Sequence, residues 1–244
     1  RRAARIGALG ARRAAVVRAV TDAPEPAVAA ALLRARLVGA VPRVLSVAGT
    51  DSGGGAGLLA DAKAIVRAGG FPMCAVTAVT AQTTVGVEAA AALDVDLVRG
   101  QITAVTADLG LDAVKTGMLA GPGIVEAVGE ALARLDPDEE VPVVVDPVVR
   151  AESGASLLGP GGEDAYRAHL LPRATVATPN LFEARALAGR DDEPEALARE
   201  LHARHGCAVL VTGGHGTTSD DVLCDDAGVL RVPGPRLPLS STHG

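Results

Sequence analysis

The residues best suited to chemistry gather between Gly49 and Gly57, a turn in which five glycines surround Asp51 and Ser52. Glycine adopts positive φ angles at no steric cost, and its missing Cβ lets a ligand lie against the backbone. A helix is predicted over residues 58–68, and its free N–H groups would point back at the same space, which suits an anion or a polar ring. A plain strand-to-helix turn needs fewer glycines, so we favour a binding loop. The spacing matches neither the phosphate loop with its Lys-Ser/Thr ending nor the dinucleotide G-x-G-x-x-G pattern.

Further polar residues follow the strand-like segments downstream, and most of them admit two interpretations. Gln82 either caps its own loop or offers its carboxamide, both donor and acceptor, to the edge of an aminopyrimidine-like ring. Chemistry alone leaves both interpretations open. Met118 is more often a core residue than a ligand contact. Lys115, which with Lys63 makes up the whole lysine content, either meets a phosphate or pairs with an acid.

Asn180 and Glu183 have the spacing of a helix capping box, with Asn as the N-cap and Glu at the third helical position. On the competing interpretation, Glu183 and Asp146 hold Mg²⁺ through water near a triphosphate. The local sequence favours the cap. His215 follows two glycines, as a turn residue would.

The sequence contains no Ser-His-Asp or Cys-His set with local spacing and no cluster of metal-ligating residues. What remains is a group of backbone donors, carboxylates and one amide. Phosphoryl transfer needs little more, because it depends on positioning and on a magnesium-held nucleotide rather than on covalent chemistry. These residues therefore favour phosphoryl transfer.

The elements that must position these residues alternate between strand and helix from Val44 onward. Predicted strands cover residues 44–48, 71–81, 112–116, 141–145, 174–177 and 208–212, with a closing hairpin of 221–224 and 229–232. Predicted helices cover residues 58–68, 94–109, 123–135, 162–170, 180–187 and 194–205. Repeated units with fully apolar strands indicate an α/β fold with a mostly parallel sheet covered on both faces. Ligands bind at the carboxyl ends of such strands, where the candidates lie.

Composition limits the partners of the chain. Two Phe, one Tyr and no Trp among 244 residues leave an aliphatic core and almost no platform for base stacking. The net charge of −6 argues against nonspecific binding to nucleic acids or membranes. The charge is uneven, because residues 1–36 carry eight Arg and two acids, net +6, and residues 37–244 carry net −12. This asymmetry indicates segments of two origins.

The three cysteines are too widely spaced for a disulfide framework or a zinc cluster. Cys74 and Cys207 lie in apolar, strand-like runs, so we expect buried, inert thiols. His202 and His205 lie on a charged helical segment, where we expect them to be solvated. No stretch approaches the ~20 apolar residues of a membrane span, and the Arg-rich start lacks the apolar core of a signal peptide. We expect a cytoplasmic protein without nucleic-acid or membrane partners, and a homodimer is one open option.

The order and spacing of several segments match a known family. They are Ala48-Gly-Thr-Asp-Ser-Gly-Gly-Gly-Ala-Gly57 with Ala60-Asp61, Thr80-Ala-Gln-Thr-Thr-Val-Gly86, Lys115-Thr-Gly-Met-Leu119, Val144-Val-Asp-Pro-Val148, Ser153-Gly154, Thr178-Pro-Asn-Leu-Phe-Glu183, Gly213-Gly-His215 and Thr242-His-Gly244. In these segments the chain resembles hydroxymethylpyrimidine/phosphomethylpyrimidine kinase of thiamine biosynthesis, a member of the ribokinase-like superfamily. Each motif alone is weak, but their combination is specific.

This resemblance implies a three-layer α/β/α ribokinase-like fold with a mostly parallel central sheet. It also implies a reaction: ATP phosphorylates 4-amino-5-hydroxymethyl-2-methylpyrimidine and then the resulting monophosphate. By the same resemblance, Gln82 hydrogen-bonds the aminopyrimidine, and Asp51, Met118 and Val148 lie around the ring.

For the nucleotide side, the resemblance implies ATP and Mg²⁺ as cofactors. Asp146 and Glu183 match the acids of the Mg²⁺–phosphate region, which moves the metal interpretation of Glu183 ahead of the cap, although one residue can serve both. Thr212, Gly214 and His215 would lie near the nucleotide.

The chain departs from the family at three places. Gly53 stands where the family usually has Ser, a minor change in a glycine-rich loop. Thr212 replaces a lysine common in some members, which puts a direct charge on the ATP phosphates in doubt. In the family, Thr-His-Gly continues into a Gly-Cys turn and a helix, which supply the anion hole and the base. This chain stops at Gly244, the start of that turn, so we expect a fold truncated before its final helix that binds the pyrimidine but transfers phosphate poorly.

Residues 1–38 resemble another family. Gly10-Ala-Arg-Arg-Ala-Ala-Val-Val-Arg-Ala-Val20, Asp22-Ala-Pro-Glu-Pro26 and the Ala-rich segment after them are similar to the last β-α unit of thiamine-phosphate synthase, a TIM barrel. Residues 39–43 are then a linker and residues 44–244 a kinase domain, incomplete at its C-terminus, within a fused synthase–kinase. The alternatives are a pyridoxal or sugar kinase of the same superfamily, or a noncatalytic pyrimidine-binding module.

Overall fold

A computed structural model describes residues 41–83, 86–136, 138, 140–150, 157–213 and 219–234, together with Pro26 and Ala30. The main sheet contains six parallel strands: β1 (Arg43–Ala48), β2 (Phe71–Val76), β5 (Ala113–Thr116), β6 (Val143–Val145), β7 (Val176–Ala177) and β8 (Ala208–Val211). An antiparallel hairpin of β9 (Asp221–Asp225) and β10 (Gly228–Val232) extends it, giving the order β10-β9-β8-β7-β6-β5-β1-β2. A separate antiparallel pair consists of β3 (Ala78–Thr83) and β4 (Gly86–Ala92).

Six helices accompany these strands within the described residues. They are α1 (Gly57–Arg67), α2 (Val95–Leu109), α3 (Pro122–Leu135), α4 (Gly162–Ala165), α5 (Leu181–Ala188) and α6 (Pro194–His205). A π-helical segment, Tyr166–Leu170, and a 3-10 turn, Leu171–Arg173, continue α4. In this part of the chain no helix is both long and apolar enough to cross a bilayer.

Helices cover both faces of the sheet, as the apolar strands predict. In β1 the four consecutive residues from Leu45 to Ala48 are all at most 2% exposed. Neighbouring residues of a strand point to opposite faces, so burial of all four requires a layer on each side. The core is aliphatic apart from the single tyrosine, Tyr166, which is fully buried.

Several predicted elements are confirmed almost to the residue. α2 begins after Asp94, whose side chain accepts hydrogen bonds from the N–H groups of Asp96 and Leu97, as the capping position predicts. α6 and the β9–β10 hairpin also have their predicted bounds within one residue. β6 and β7 are shorter than predicted, because only 143–145 and 176–177 pair with neighbouring strands.

The prediction of one strand over residues 71–81 is wrong. The chain turns at Thr77, whose hydroxyl donates to the Met118 carbonyl (2.6 Å) and whose N–H donates to the Ala48 carbonyl (3.0 Å). Beyond this residue β3 leaves the main sheet and pairs with β4. Gln82 therefore lies in strand β3 and not in a loop. The sequence gives no signal for β4, because four of its seven residues are alanine, which is depleted in strands.

Two predictions about burial are also wrong. Cys74 is exposed, because its neighbours Met73 and Ala75 occupy the buried face of β2 and the alternating residue faces away. Cys207 is buried, as predicted. His202 is half-buried rather than solvated, since its Nδ1 atom lies 2.8 Å from the carbonyl oxygen of Cys207. His205 is half-buried as well.

Candidate active site

The sheet topology predicts a ligand crevice where the chain changes direction across the sheet. β1 has β2 on one side and β5 on the other, and the chain reaches β2 first and β5 later. The loops that leave β1 and β5 diverge at such a switch point, which is where open α/β sheets bind ligands. The glycine turn follows β1, and Met118 follows β5. These two segments touch, because the Met118 methyl group fills the space that a Cβ on Gly49 would need.

Asp51 organises the glycine turn from within. Its buried carboxylate accepts hydrogen bonds from the N–H groups of Gly53 (2.9 Å), Gly55 (3.0 Å) and Ala56 (2.8 Å). Burial raises the pKa of Asp51, but these backbone hydrogen bonds outweigh burial, and the net pKa is lowered. The carboxylate is thus committed to the turn, and its contact with a substrate ring stays a prediction.

Hydrogen bonds join the glycine turn to β3 and thereby position Gln82. The Thr80 N–H donates to the Thr50 hydroxyl (3.0 Å), and the Thr80 hydroxyl donates to the Thr50 carbonyl (2.8 Å). The Ser52 hydroxyl donates to the Thr80 carbonyl (2.7 Å) and accepts from the Gln82 N–H (3.3 Å). Ala81 and Gln82 of β3 pair with Ala89 and Val87 of β4, so Glu88 between them is left unpaired and forms a β-bulge. A β-bulge changes the direction of nearby side chains.

The carboxamide of Gln82 has no hydrogen-bond partner among the residues that the structure describes. The side chain is half-buried, so it is open to a ligand. Capping of its own loop, the first of the two interpretations, is not observed in that part of the chain. Binding of a ring edge stays a prediction.

The Lys115 ammonium lies at the carboxyl end of β5 between two acids. Its Nζ atom is 3.0 Å and 3.1 Å from the two carboxylate oxygens of Asp61 on α1, and 3.9 Å from Oδ2 of Asp146. Ser46 of β1 donates its hydroxyl to Asp61 (2.6 Å). The predicted pairing with an acid is confirmed. The sequence predicts no particular role for Asp61, although this residue belongs to a matched motif.

Glu183 forms the predicted capping box with Asn180. The Glu183 N–H donates to Oδ1 of Asn180 (2.9 Å), and Oε2 of Glu183 accepts from the Asn180 N–H (2.9 Å). Oε1 accepts from the N–H of Val149 (3.3 Å), so both carboxylate oxygens have partners. Burial raises the pKa of Glu183 to about 7, with a further contribution from the charge of Asp146, while the two backbone hydrogen bonds oppose this rise.

Asp146 follows β6 directly, and 35% of its side chain is exposed. Burial raises the pKa of Asp146, the Lys115 ammonium opposes this shift, and the charge of Asp61 adds to it. Among the described residues, no three His, Cys, Asp or Glu side chains group into a metal cluster. Mg²⁺ needs no such cluster where nucleotide phosphates and water supply its other ligands. The pair of Asp146 and Glu183 therefore fits a magnesium ion that arrives with a nucleotide.

Tyr166 contacts the loop that follows β5, a contact that the sequence does not predict. Its fully buried hydroxyl donates to the carbonyl oxygen of Gly117 (3.3 Å). Burial and the nearby acids Asp146 and Glu183 raise the pKa of the phenol well above its ordinary value, so it stays neutral. The only signal in the sequence is that this is the single tyrosine of a chain poor in aromatic residues.

The remaining predicted site residues fall into two groups. Val148 is half-buried, and its N–H donates to the Asp146 carbonyl (3.0 Å). Thr212 directly follows β8 and forms an isolated parallel bridge with Asn180, and its N–H donates to the Pro179 carbonyl (2.9 Å). Three predicted residues lie outside the described residues: Gly214, His215 and Gly244.

Comparison with known proteins places these features in one family. A family model described as phosphomethylpyrimidine kinase matches residues 51–244. The hydroxymethylpyrimidine/phosphomethylpyrimidine kinase of Mycobacterium tuberculosis is 45% identical over 210 residues, which cover 83% of this chain and 76% of that protein. The thiamine biosynthesis bifunctional protein ThiED of Geobacter sulfurreducens is 40% identical over 246 residues, which cover 96% of this chain and 49% of that protein.

Solved structures with the same fold include a phosphomethylpyrimidine kinase from Clostridium difficile. Its TM-score is 0.72 at 34% sequence identity, and the match covers 82% of this chain and 87% of that one. The pyridoxal kinase of Staphylococcus aureus in complex with AMP-PCP and pyridoxal has a TM-score of 0.72 and 30% identity, with coverage of 84% and 76%. These structures confirm the predicted α/β ribokinase-like fold class.

Proposed function

Because the chain belongs to the phosphomethylpyrimidine kinase family, we propose that it transfers phosphoryl groups from ATP to 4-amino-5-hydroxymethyl-2-methylpyrimidine and then to the monophosphate. The observation that carries this proposal is the family match over residues 51–244, which spans the crevice from Asp51 to Thr212. The ATP analogue bound by a pyridoxal kinase of the same fold supports ATP as the donor.

Gln82 selects the aminopyrimidine in this proposal. A carboxamide matches the edge of such a ring, because its NH₂ donates to a ring nitrogen while its oxygen accepts from the exocyclic amine. The unpartnered, half-buried amide of Gln82 supports this role. Met118 packs on the ring face, with Val148 and Asp51 at its margin.

Each transfer forms a bond between a substrate oxygen and the γ-phosphorus of ATP while the bond to the bridging oxygen breaks, which releases ADP. In the first transfer the hydroxyl of the substrate also loses its proton, which passes to solvent water. Asp146 and Glu183 would hold a magnesium ion, which when bound would neutralise part of the phosphate charge. Thr212, Gly214 and His215 would lie near the nucleotide in this proposal.

A pyridoxal kinase is the second candidate, because pyridoxal kinases share this fold at 30% identity. Pyridoxal is also a flat heteroaromatic ring, so the crevice alone does not exclude it. Identity of 45% to a pyrimidine kinase favours the pyrimidine.

We also propose that residues 1–38 correspond to the last β-α unit of a thiamine-phosphate synthase and that residues 39–43 are a linker. The match of 96% of the chain to a bifunctional ThiED protein supports this division.

Product identity tests the proposed reaction independently of its rate. The protein is incubated for a long period with ATP, Mg²⁺ and an equimolar mixture of hydroxymethylpyrimidine and pyridoxal, and the products are identified by mass spectrometry. We expect the pyrimidine monophosphate to appear first and the diphosphate to follow at its expense. Pyridoxal phosphate as the main product would support the second candidate instead.

A further inference from the structure

Three elements hold the Lys115 ammonium in place. Ser46 of β1 and Lys115 of β5 are directly paired neighbours in the sheet, so their side chains emerge on the same face. Asp61 of α1 covers that position, accepting from Ser46 at 2.6 Å and from Lys115 at 3.0 Å. A lysine side chain is otherwise flexible, and its ammonium is mobile. The hydrogen bonds with Asp61 therefore fix the position of the Lys115 ammonium.

Space for the ammonium depends on a glycine. An added Cβ at Gly117 would lie 2.9 Å from the Nζ atom of Lys115, closer than side-chain atoms normally approach. The side chain of Lys115 is 26% exposed and that of Asp61 is 16% exposed, so the pair lies at the wall of the crevice rather than in the core.

Among the residues that the structure describes, the hydrogen bonds of Lys115 leave one donor of its ammonium without a partner. An ammonium has three donors, and Asp61 lies within hydrogen-bond distance on one side only. The 3.9 Å separation between Nζ and Oδ2 of Asp146 is too long for a hydrogen bond. A donor therefore faces the gap beside Asp146, at the carboxyl end of β5, where a phosphate oxygen would complete its contacts.

We propose that Lys115 binds a phosphate group in the crevice and that Asp61 and Ser46 are positioning residues for its ammonium. This inference rests on the proposed function only for the identity of the phosphate, which belongs either to ATP or to the pyrimidine monophosphate.

Binding measured by calorimetry in EDTA tests the proposal without magnesium and without turnover. The ligands are ATP, the pyrimidine monophosphate and uncharged hydroxymethylpyrimidine, and the variants are Lys115→Met, Lys115→Arg and Asp61→Asn. Arg134→Gln, which removes a charge from an exposed ion pair with Glu130 on α3, is the matched control. A charge-assisted hydrogen bond predicts about a tenfold loss of affinity in Lys115→Met for the ligand whose phosphate it contacts.

The two phosphate ligands distinguish the source. We expect Lys115→Met to weaken one of them about tenfold, Lys115→Arg to restore part of the loss, and Asp61→Asn to cause a smaller loss with the charge retained. Hydroxymethylpyrimidine should bind all variants within twofold of the wild type, as should every ligand with Arg134→Gln.

Unchanged affinity for both phosphate ligands in a folded Lys115→Met variant would overturn the proposal. An equal loss of affinity for uncharged hydroxymethylpyrimidine would also overturn it, because such a loss indicates that the ion pair is purely structural. If Lys115→Met does not unfold cooperatively, Gly117→Ala, which displaces the ammonium without removing its charge, replaces it with the same expected loss. Failure of hydroxymethylpyrimidine to bind the wild type, with Lys115-dependent phosphate binding intact, would refute the proposed function and leave this inference standing.

Discussion

Asn180 and Glu183 satisfy each other's backbone, since the side chain of each accepts a hydrogen bond of 2.9 Å from the N–H of the other. The same carboxylate lies near Asp146 and is 4% exposed. The capping box thus fixes the orientation of the acid that we assign to the magnesium region. The two interpretations of Glu183 are compatible, because the cap uses one oxygen and leaves lone pairs on both.

Glu183→Gln is predicted to change how stability depends on pH. The folded pKa of Glu183, about 7, lies above the value of 4.5 for an unperturbed Glu. Protonation therefore favours the folded state: its contribution is complete below pH ~4.5 and is lost as the pH rises through ~7. Without metal or nucleotide, the free energy of unfolding of the wild type should fall relative to Glu183→Gln by about 3 kcal/mol across this range.

Denaturant unfolding at pH 5 and pH 8 measures this difference. Gln can keep the capping box, in which Glu and Gln are both found at the third helical position, but its NH₂ group cannot accept from the Val149 N–H. That loss does not depend on pH, so the change of the difference with pH reports the titration of Glu183. A difference between the two proteins that does not vary with pH would contradict the raised pKa.

Asn180→Ala should destabilise the protein by about 1 kcal/mol through loss of the N-cap. Asp94→Ala is the matched control, because Asp94 caps α2 in the same way but lies apart from the crevice. Both variants should lose similar stability in thermal or denaturant unfolding. Only Asn180→Ala should also weaken ATP binding in the presence of magnesium, since the Glu183 N–H loses its acceptor and the first turn of α5, which carries the Glu183 carboxylate, is less firmly held. Equal ATP affinity in the two variants would show that the cap does not position the acid.

Gly49→Ala should impair pyrimidine binding without unfolding the protein. The new methyl group would occupy the place of the Met118 methyl group, and a flexible thioether can move away at little cost. The displaced Met118 would then enter the crevice, so the affinity for hydroxymethylpyrimidine, measured by calorimetry, should fall about tenfold.

Gly100→Ala is the control for that substitution. Nothing lies within 4 Å of a Cβ at Gly100 on α2, and Ala in place of Gly in a helix stabilises it by about 0.5–1 kcal/mol. This variant should therefore unfold at a higher temperature and bind the pyrimidine normally. Normal binding by Gly49→Ala would mean that Met118 does not border the substrate.

The sequence predicts those parts of the fold that local signals encode. α2 has a capping Asp94 and apolar spacing, and α6 begins with Pro194, so both helices were predicted closely. β4 was missed, because its alanines carry no strand signal and its pairing with β3 depends on the turn at Thr77. The strand position of Gln82 was missed for the same reason.

Within the site, residue types were predictable but most contacts were not. Asn180 and Glu183 are three residues apart, so their reciprocal bonds could be read from spacing. The bond between Asp61 and Lys115 joins residues 54 positions apart, and it exists because the β1–β5 register brings Ser46 beside Lys115 under α1. The role of Asp51 within its own turn also depends on a backbone path that the glycines permit but do not specify.

Pyrimidine recognition is tested most directly by thermal unfolding. The wild type, Gln82→Ala and Arg134→Gln are each measured with hydroxymethylpyrimidine, with pyridoxal and with ribose. A ligand that binds only the folded protein adds about 2.7 kcal/mol to the free energy of unfolding at a hundred times its Kd, and it therefore raises the midpoint temperature of unfolding. We predict a rise with the pyrimidine for the wild type and Arg134→Gln, little or none with pyridoxal and ribose, and loss of the rise in Gln82→Ala. An equal rise for Gln82→Ala, or a larger rise with pyridoxal, would contradict recognition of an aminopyrimidine by Gln82.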